Sequence, residues 1–315
     1  MLSFLPSTVR GCIHVILITL NTLVVFSLIV PVAILRLIIP LESWSTFCAT
    51  ILKGIASAWV AVNAFNSRLV NKVDWDIQGL DSLQGKSWYL VVSNHQSWTD
   101  ILVLQTVFSG RIPFLKFFLK KELIWVPIMG IAWWALDYPF MKRYSKEFLE
   151  KNPHMEGKDL ETTKKACEKF KKIPVSIVNY LEGTRFTKEK HDRQKSPFTH
   201  LLKPKAGGIA FVMAAMGGQL KSLVDVTIAY PNGDKSFWDF MCGRVTKIVV
   251  RVDTLPIARE LQGDYFKDEV FRARFQEWVN QLWLKKDQLL KDLLGTEEHT
   301  PENAHPPEDR SAAIG

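Results

Sequence analysis

The sequence WYLVVSNHQSWTD, at positions 88–100, decides the fold. Its first five residues form a nearly continuous apolar run of strand-forming residues. Such a run is typical of a strand buried on both faces, and it predicts an α/β layered domain. The run stops abruptly at polar residues, and we expect residues 93–100 to form a turn and the first turn of a helix. An apolar strand therefore delivers a polar group of side chains, including His95 and Asp100, to its end.

His95 and Asp100 are predicted to work as a pair. They lie five positions apart, about 140° around an ideal helix, so they meet only if His95 precedes the helix and leans back toward Asp100. Imidazole titrates near neutral pH, and a carboxylate on one ring nitrogen leaves the other nitrogen free to accept a proton. His95 is then a candidate base that activates a hydroxyl. The spacing alone favours a simpler interpretation, in which His95 is an ordinary turn residue and Asp100 complements the helix dipole.

Four separated stretches resemble the motifs of a known family, and this resemblance favours the catalytic interpretation of His95 over the simpler one. NHQSWTD resembles the His-x4-Asp motif of the glycerolipid acyltransferase family, whose members acylate glycerol phosphate and lysophosphatidate. Residues 180–185, YLEGTR, resemble that family's Glu-Gly-Thr-Arg motif, and residues 126–143 resemble its middle block, which closes on an arginine. KPKAGG at 203–208, followed by LVDVTIAYP, is similar to the last blocks. A single His-x4-Asp occurs often by chance, whereas four blocks in this order are specific.

The resemblance implies a fold and an activity. The fold is a mixed sheet flanked by helices, a glycerolphosphate acyltransferase-like domain. The activity is transfer of an acyl chain from acyl-CoA or acyl carrier protein to the hydroxyl of a lysophospholipid, in the first place 1-acylglycerol-3-phosphate. His95, oriented by Asp100, is the implied base, and neither a cofactor nor a metal is required. The sequence departs from the family's usual residues at two places. These are Tyr180-Leu181, where the family usually has Phe-Pro, and Asp137-Tyr138-Pro139. The departures put the identity of the acceptor in doubt.

The resemblance also implies a substrate-binding set at the ends of the predicted strands. Arginine offers a planar fork for a phosphate, and glycine lets the backbone approach a ligand closely. Strand ends that meet in one crevice are where open α/β sheets bind ligands. The predicted substrate-binding residues are Arg143, Glu182, Gly183, Thr184, Arg185, Lys203 and Lys205.

Composition narrows the possible partners. The 315-residue chain carries a net charge of +8, and a basic body prefers nucleic acid, an anionic membrane face or phosphorylated substrates. The sequence contains no zinc knuckle, RNP-like signature or helix-turn-helix pattern, so we expect no nucleic acid. The expected partners are the bilayer, a lysophospholipid and the acyl donor. Four scattered cysteines without metal-ligand spacing are typical of reduced thiols.

The first 64 residues are predicted to anchor the protein in a membrane. Residues 11–35 contain no Asp, Glu, Lys or Arg, and this length exceeds the ~20 residues that cross a bilayer as a helix. Residues 43–60 form a second, amphipathic stretch, and Pro31 is a potential kink, so the pair either crosses the membrane or re-enters it. The thiols and the absence of a secretion signal place the catalytic body on the cytoplasmic side, at the inner membrane if the source is bacterial.

The remaining elements complete a domain at 65–295. Strands are expected at 73–77, 175–181, 223–231 and 245–252, and helices at 101–108, 160–172 and 264–294. Residues 111–134 interleave basic and aromatic side chains, which favours a membrane-facing collar over a nucleic-acid surface or a core element. The loop 186–205 is basic, and it covers the site, steers anionic lipid or acyl carrier toward it, or is only solvated. The tail at 296–315 is expected to be disordered.

Three other functions are alternatives to the acylation of lysophosphatidate. A lipid hydrolase needs a serine nucleophile, and the sequence has no G-x-S-x-G elbow. An acyltransferase for another lysophospholipid headgroup fits the same motifs. A non-catalytic, membrane-anchored lipid-binding or scaffold protein also fits the fold, although the intact His95 and Asp100 argue against it.

Overall fold

The computed structural model describes residues 2, 4–141, 167–168, 170, 173–233 and 236–295. Within them, the central sheet has six strands in the order β1-β8-β7-β2-β6-β3, and only the β7–β8 pair is antiparallel. The strands are β1 Asp74–Gln78, β2 Tyr89–Ser93, β3 Leu115–Phe117, β6 Ser176–Tyr180, β7 Ser222–Ala229 and β8 Lys247–Pro256, with a separate short pair β4 Leu119–Lys120 and β5 Phe140–Met141. The predicted mixed sheet is confirmed.

Helices cover both faces of this sheet. They are α1 Ser7–Ile38, α2 Glu42–Val70, α3 Thr99–Phe108, α4 Met129–Ala135, α5 Lys188–Gln194, α6 Ala206–Met216, α7 Phe237–Met241 and α8 Glu269–Gly295. Val91 of β2 packs into one core together with α1, α2 and α3, and Leu90 and Val92 pack into a second core with α6 and α8. Every residue of β2 is buried, as the apolar run predicts, because a strand covered on both faces has no polar side to alternate with.

The C-terminal helix α8 begins five residues later than predicted. Asp264 accepts hydrogen bonds from the backbone N–H groups of Phe266 and Lys267, which turns the chain before the helix can start. Asp268 then accepts from the N–H of Phe271 and satisfies the first turn of α8. The face of α8 that packs on the body carries Phe271, Phe275 and Leu282, which are all buried.

The two N-terminal helices form a hairpin that lies along the α/β body. Helix α1 continues through Pro31, and α2 continues to Val70, so the predicted boundary at residue 64 falls inside a helix. The body contacts both ends of α1. Near its start, a Cβ at Gly11 would lie 2.5 Å from Cys242 Sγ, and near its end Arg36 forms an ion pair with Asp137 at 2.8 Å.

Three predictions fall partly or wholly outside the described residues. These are the phosphate contact of Arg143, most of the helix at 160–172, and the disorder of the tail at 296–315.

Candidate active site

The site lies where three adjacent strands end. Ser93 of β2 is in register with Tyr180 of β6 on one side and with Val226 of β7 on the other. Parallel β2, β6 and β7 therefore send the chain that follows them to the same edge of the sheet. This edge is where open α/β sheets bind ligands.

His95 and Asp100 meet as the sequence predicts. Helix α3 begins at Thr99, so Asp100 lies in its first turn and His95 in the preceding turn. His95 Nδ1 lies 2.8 Å from Asp100 Oδ2, and the side chains are 12% and 0% exposed. A carboxylate acceptor at this distance places the imidazole proton on Nδ1, which leaves the lone pair on Nε2 for an incoming proton.

Asp100 is held by four hydrogen bonds. Its Oδ2 accepts from His95 Nδ1 and from the backbone N–H groups of Gln96 and Ser97, at 2.6 and 2.8 Å for the two backbone contacts. Its Oδ1 accepts from the Tyr230 hydroxyl at 2.7 Å. Charge-assisted hydrogen bonds of this kind offset the cost of burying a carboxylate. Asp100 is therefore fixed in place and orients the imidazole.

Glu182 is fully buried and bonds to the backbone. Its Oε1 accepts from the His95 N–H at 2.8 Å, and its Oε2 accepts from the Leu202 N–H at 3.0 Å. Burial raises the pKa of Glu182 to about 8, although the two backbone hydrogen bonds act in the opposite direction. Both carboxyl oxygens thus bind the protein itself, and the predicted substrate contact of Glu182 stays a prediction.

Gly183 makes the turn that separates Glu182 from the exposed residues. It adopts a φ of +67° and donates its N–H to the Tyr180 carbonyl at 2.9 Å. Glycine takes this left-handed conformation at no steric cost. The turn places Glu182 inside the protein and leaves Arg185 on the surface.

Arg185 lies close to the histidine turn. Its guanidinium carbon is 4.8 Å from the centre of the Trp98 ring, and the next residue, Phe186, donates its N–H to the His95 carbonyl at 2.7 Å. Lys190 donates to Thr184 Oγ1 at 3.0 Å. The predicted Thr184 and Arg185 are therefore brought next to His95, together with an additional cation.

Lys203 and Lys205 are exposed and precede α6. The backbone N–H of Lys205 donates to the Leu181 carbonyl at 2.8 Å, which ties this segment to the end of β6. The segment also contains Leu202, whose N–H binds Glu182. The two lysines thus belong to the same strand-end assembly as His95.

The sequence reasoning missed three side chains that support His95. The Tyr180 ring stacks on the imidazole, with centroids 3.9 Å apart and an interplanar angle of 13°. Asn94 binds both backbone groups of Ile228 on β7, at 2.8 and 2.9 Å. Tyr230 follows β7 and reaches Asp100. One signal was available for Tyr180 and Tyr230, since both stand at the ends of predicted strands.

Fold and site together define an α/β protein with a histidine–carboxylate pair at the carboxyl ends of its parallel strands. The chain belongs to the Acyltransferase family, whose model matches residues 74–231, half of the chain. The expected class of enzyme, an acyltransferase, is thereby confirmed at the level of the family.

Known proteins of this family show moderate similarity to the chain. The 1-acyl-sn-glycerol-3-phosphate acyltransferase gamma of Mus musculus is 26% identical over 218 residues, 65% of this chain and 53% of the relative. The 1-acyl-sn-glycerol-3-phosphate acyltransferase 3 of Arabidopsis thaliana is 29% identical over 164 residues, 48% of this chain and 40% of the relative. The chain spans about half the length of the curated relatives it matches.

One solved structure is also similar to the chain. It is the 1-acyl-sn-glycerophosphate (LPA) acyltransferase PlsC from Thermotoga maritima, with 16% sequence identity and a TM-score of 0.44, over 92% of this chain and 100% of that one.

Proposed function

We propose that this protein transfers an acyl chain from an acyl thioester to the free hydroxyl of lysophosphatidate, with His95 as the general base. The observation that carries the proposal is the contact of 2.8 Å between His95 Nδ1 and the fully buried Asp100. A base of this kind must face its substrate while its other nitrogen is held. Asp100 holds Nδ1, and the 12% exposure of the His95 side chain at the edge of the sheet supports access of a substrate hydroxyl to Nε2.

The proposed reaction has two proton transfers. His95 Nε2 accepts the proton of the lysophospholipid hydroxyl as the hydroxyl oxygen attacks the thioester carbonyl. The C–S bond of the tetrahedral intermediate then breaks, and the imidazolium returns the proton to the leaving thiolate. Asp100 stabilises the imidazolium between these steps, because its carboxylate lies against the Nδ1 proton. The donor is acyl-CoA or acyl carrier protein, and the reaction requires no cofactor.

Exposed cations beside His95 support an acceptor with a phosphate headgroup. Arg185 stacks on Trp98 at the mouth of the site, and Lys203 and Lys205 lie on the segment tied to β6. A guanidinium that stacks on a ring keeps its N–H fork free to bind phosphate oxygens. The curated relatives named for 1-acyl-sn-glycerol-3-phosphate point to the same acceptor.

We also propose that the N-terminal hairpin inserts into one face of a membrane. Both helices are long and apolar enough to cross one, yet α1 contacts the body near Gly11 and again at Arg36. A helix held along the body over this length cannot cross the bilayer while the body stays in water. Trp134 is exposed on α4, which contacts α1, and the exposed Trp125 lies shortly before α4 in the chain. Both extend the membrane-facing surface, since tryptophan favours the membrane interface.

The test compares the wild type with His95→Ala in detergent or vesicles. Purified protein is incubated with a radiolabelled acyl-CoA and lysophosphatidate, and the lipid products are separated by chromatography. We expect phosphatidate from the wild type and a loss of roughly 10³-fold with His95→Ala, the scale of general-base catalysis. A panel of lysolipids with choline, ethanolamine and glycerol headgroups tests the acceptor. Wild-type activity on one of these and none on lysophosphatidate would reassign the acceptor, and equal inactivity on all would favour a scaffold.

A further inference from the structure

Helix α8 presents a three-residue face to the catalytic domain, although it lies outside the segment that matches the family model. Trp283, Lys286 and Asp287 stand three and four positions apart, so they share one side of the helix. Trp283 and Lys286 are 0% and 1% exposed. This face makes two sets of contacts, one with the loop after α5 and one with β7.

The first set of contacts holds the segment 199–202. The Trp283 indole Nε1 donates to the Leu202 carbonyl at 3.1 Å. The Asp287 carboxylate accepts from the N–H groups of Thr199 and His200, at 2.8 and 2.7 Å. Helix α8 therefore fixes the backbone of this segment at three points.

The fixed segment is directly bonded to the support of His95. The Leu202 N–H donates to Glu182 Oε2 at 3.0 Å, and Glu182 Oε1 accepts from the His95 N–H at 2.8 Å. Trp283, Leu202 and Glu182 are each 0% exposed. Bulk water therefore cannot replace a lost hydrogen-bond partner unless the structure opens. A buried polar group that loses its hydrogen bond is costly, so the residues around it shift. A continuous path of hydrogen bonds joins Trp283 to the peptide N–H of His95.

The second set of contacts reaches the Asp100 side of the dyad. Lys286 Nζ binds Asp225 Oδ1 and the Val226 carbonyl, each at 2.7 Å. Both acceptors belong to β7, and Tyr230, just past the end of this strand, donates to Asp100. One helix face thus restrains the elements that carry both halves of the His95–Asp100 pair.

We propose that α8 positions the catalytic dyad, with Trp283 as a positioning residue that fixes His95 through Leu202 and Glu182. A small displacement of a catalytic group causes a large loss of rate. The rate effect rests on the proposed function of His95, whereas the mechanical coupling does not. Two measurements separate the coupling from the function.

The experiment compares Trp283→Phe with Trp278→Phe in the full-length protein. Both variants remove one indole from α8, but Trp278 packs against Phe275 and serves as the matched control. Hydrogen–deuterium exchange is followed in peptides that cover 94–97 and 199–203. We expect Trp283→Phe to speed exchange in both peptides about threefold or more and Trp278→Phe to leave the 94–97 peptide unchanged. Unchanged exchange at 94–97 in Trp283→Phe would overturn the proposal.

Kinetics provide the second measurement. For Trp283→Phe we expect kcat to fall about fivefold, because the change displaces the base. The KM for lysophosphatidate should rise by less than this factor, because Lys203, next to Leu202, is only one of the proposed headgroup cations. A loss of activity that only follows the unfolded fraction, measured by thermal melting, would contradict a positioning role. If the wild type itself makes no phosphatidate, the proposed function fails, and the exchange data still decide whether α8 holds the turn of His95.

Discussion

Asp100 and Glu182 follow adjacent parallel strands, and both side chains are fully buried, but their surroundings differ. Asp100 accepts four hydrogen bonds, one of them from the imidazole of His95. Glu182 accepts two, both from backbone N–H groups, and burial raises its pKa to about 8. Equal burial therefore does not give equal chemistry, because the donors around a carboxylate decide what it does. Asp100 binds the imidazole of His95, and Glu182 binds the backbone N–H of the same residue.

The largest effect is expected from Asp100→Asn. The amide keeps the size of the side chain but lacks the charge that stabilises an imidazolium, so we expect kcat to fall roughly 10²-fold or more. The measurement is kcat at saturating acyl-CoA and lysophosphatidate, with a melting curve to establish that the variant folds. Asp81→Asn, in an exposed turn, is the control. A kcat within about twofold of the wild type would remove the distinction between the two carboxylates.

Glu182 gives the second prediction, which concerns pH and stability. Its pKa is about 8 in the folded protein, above the ordinary value of 4.5, so between these values the native state binds more protons than the unfolded state. The free energy of unfolding should then decrease as pH rises through this window, by up to about 1.4 kcal/mol per pH unit from this group. The contribution of protonated Glu182 to the free energy of unfolding is fully present below pH 4.5 and is lost as pH rises through 8.

The measurement for Glu182 is denaturant unfolding between pH 5 and pH 8.5 of wild type and Glu182→Gln. The variant should be less stable at pH 5, because its amide NH2 faces a backbone N–H, and its stability should depend less on pH. Glu189→Gln, an exposed glutamate on α5, is the control and should follow the wild type. Parallel curves for wild type and Glu182→Gln would show that Glu182 does not titrate in this window.

The smallest effect is expected on the exposed side of the β6 turn. Arg185→Ala should raise the KM for lysophosphatidate about fivefold and change kcat by less than about twofold, because a headgroup contact outside the reacting atoms contributes binding in both ground and transition states. Steady-state kinetics against lysophosphatidate concentration measures both constants. Arg272→Ala, at an exposed ion pair with Glu269 on α8, is the control. A fall in kcat at unchanged KM would place Arg185 in the chemical step instead.

Local patterns predicted most of the strands and the motif residues, and the misses have physical reasons. The run 88–92 could be assigned to a buried strand because it is apolar on both faces, and β2 occupies 89–93. The start of α8 was misplaced because Asp264 and Asp268 bind backbone N–H groups, and such short-range competition does not alter the hydrophobic period. The extension of α2 to Val70 was missed because polar residues, Asn63, Asn66, Ser67 and Arg68, interrupt the apolar pattern in its last turns.

The sequence by itself determined the class of protein, the pairing of His95 with Asp100 and the cluster of polar motifs at strand ends. Each of these depends on residues close together in the chain or on the residues of a motif. Only the tertiary structure decided which contacts Glu182, Tyr180, Tyr230 and Trp283 make. These contacts join residues that are far apart in the chain. Strand order and helix packing bring them together, and no local spacing encodes that.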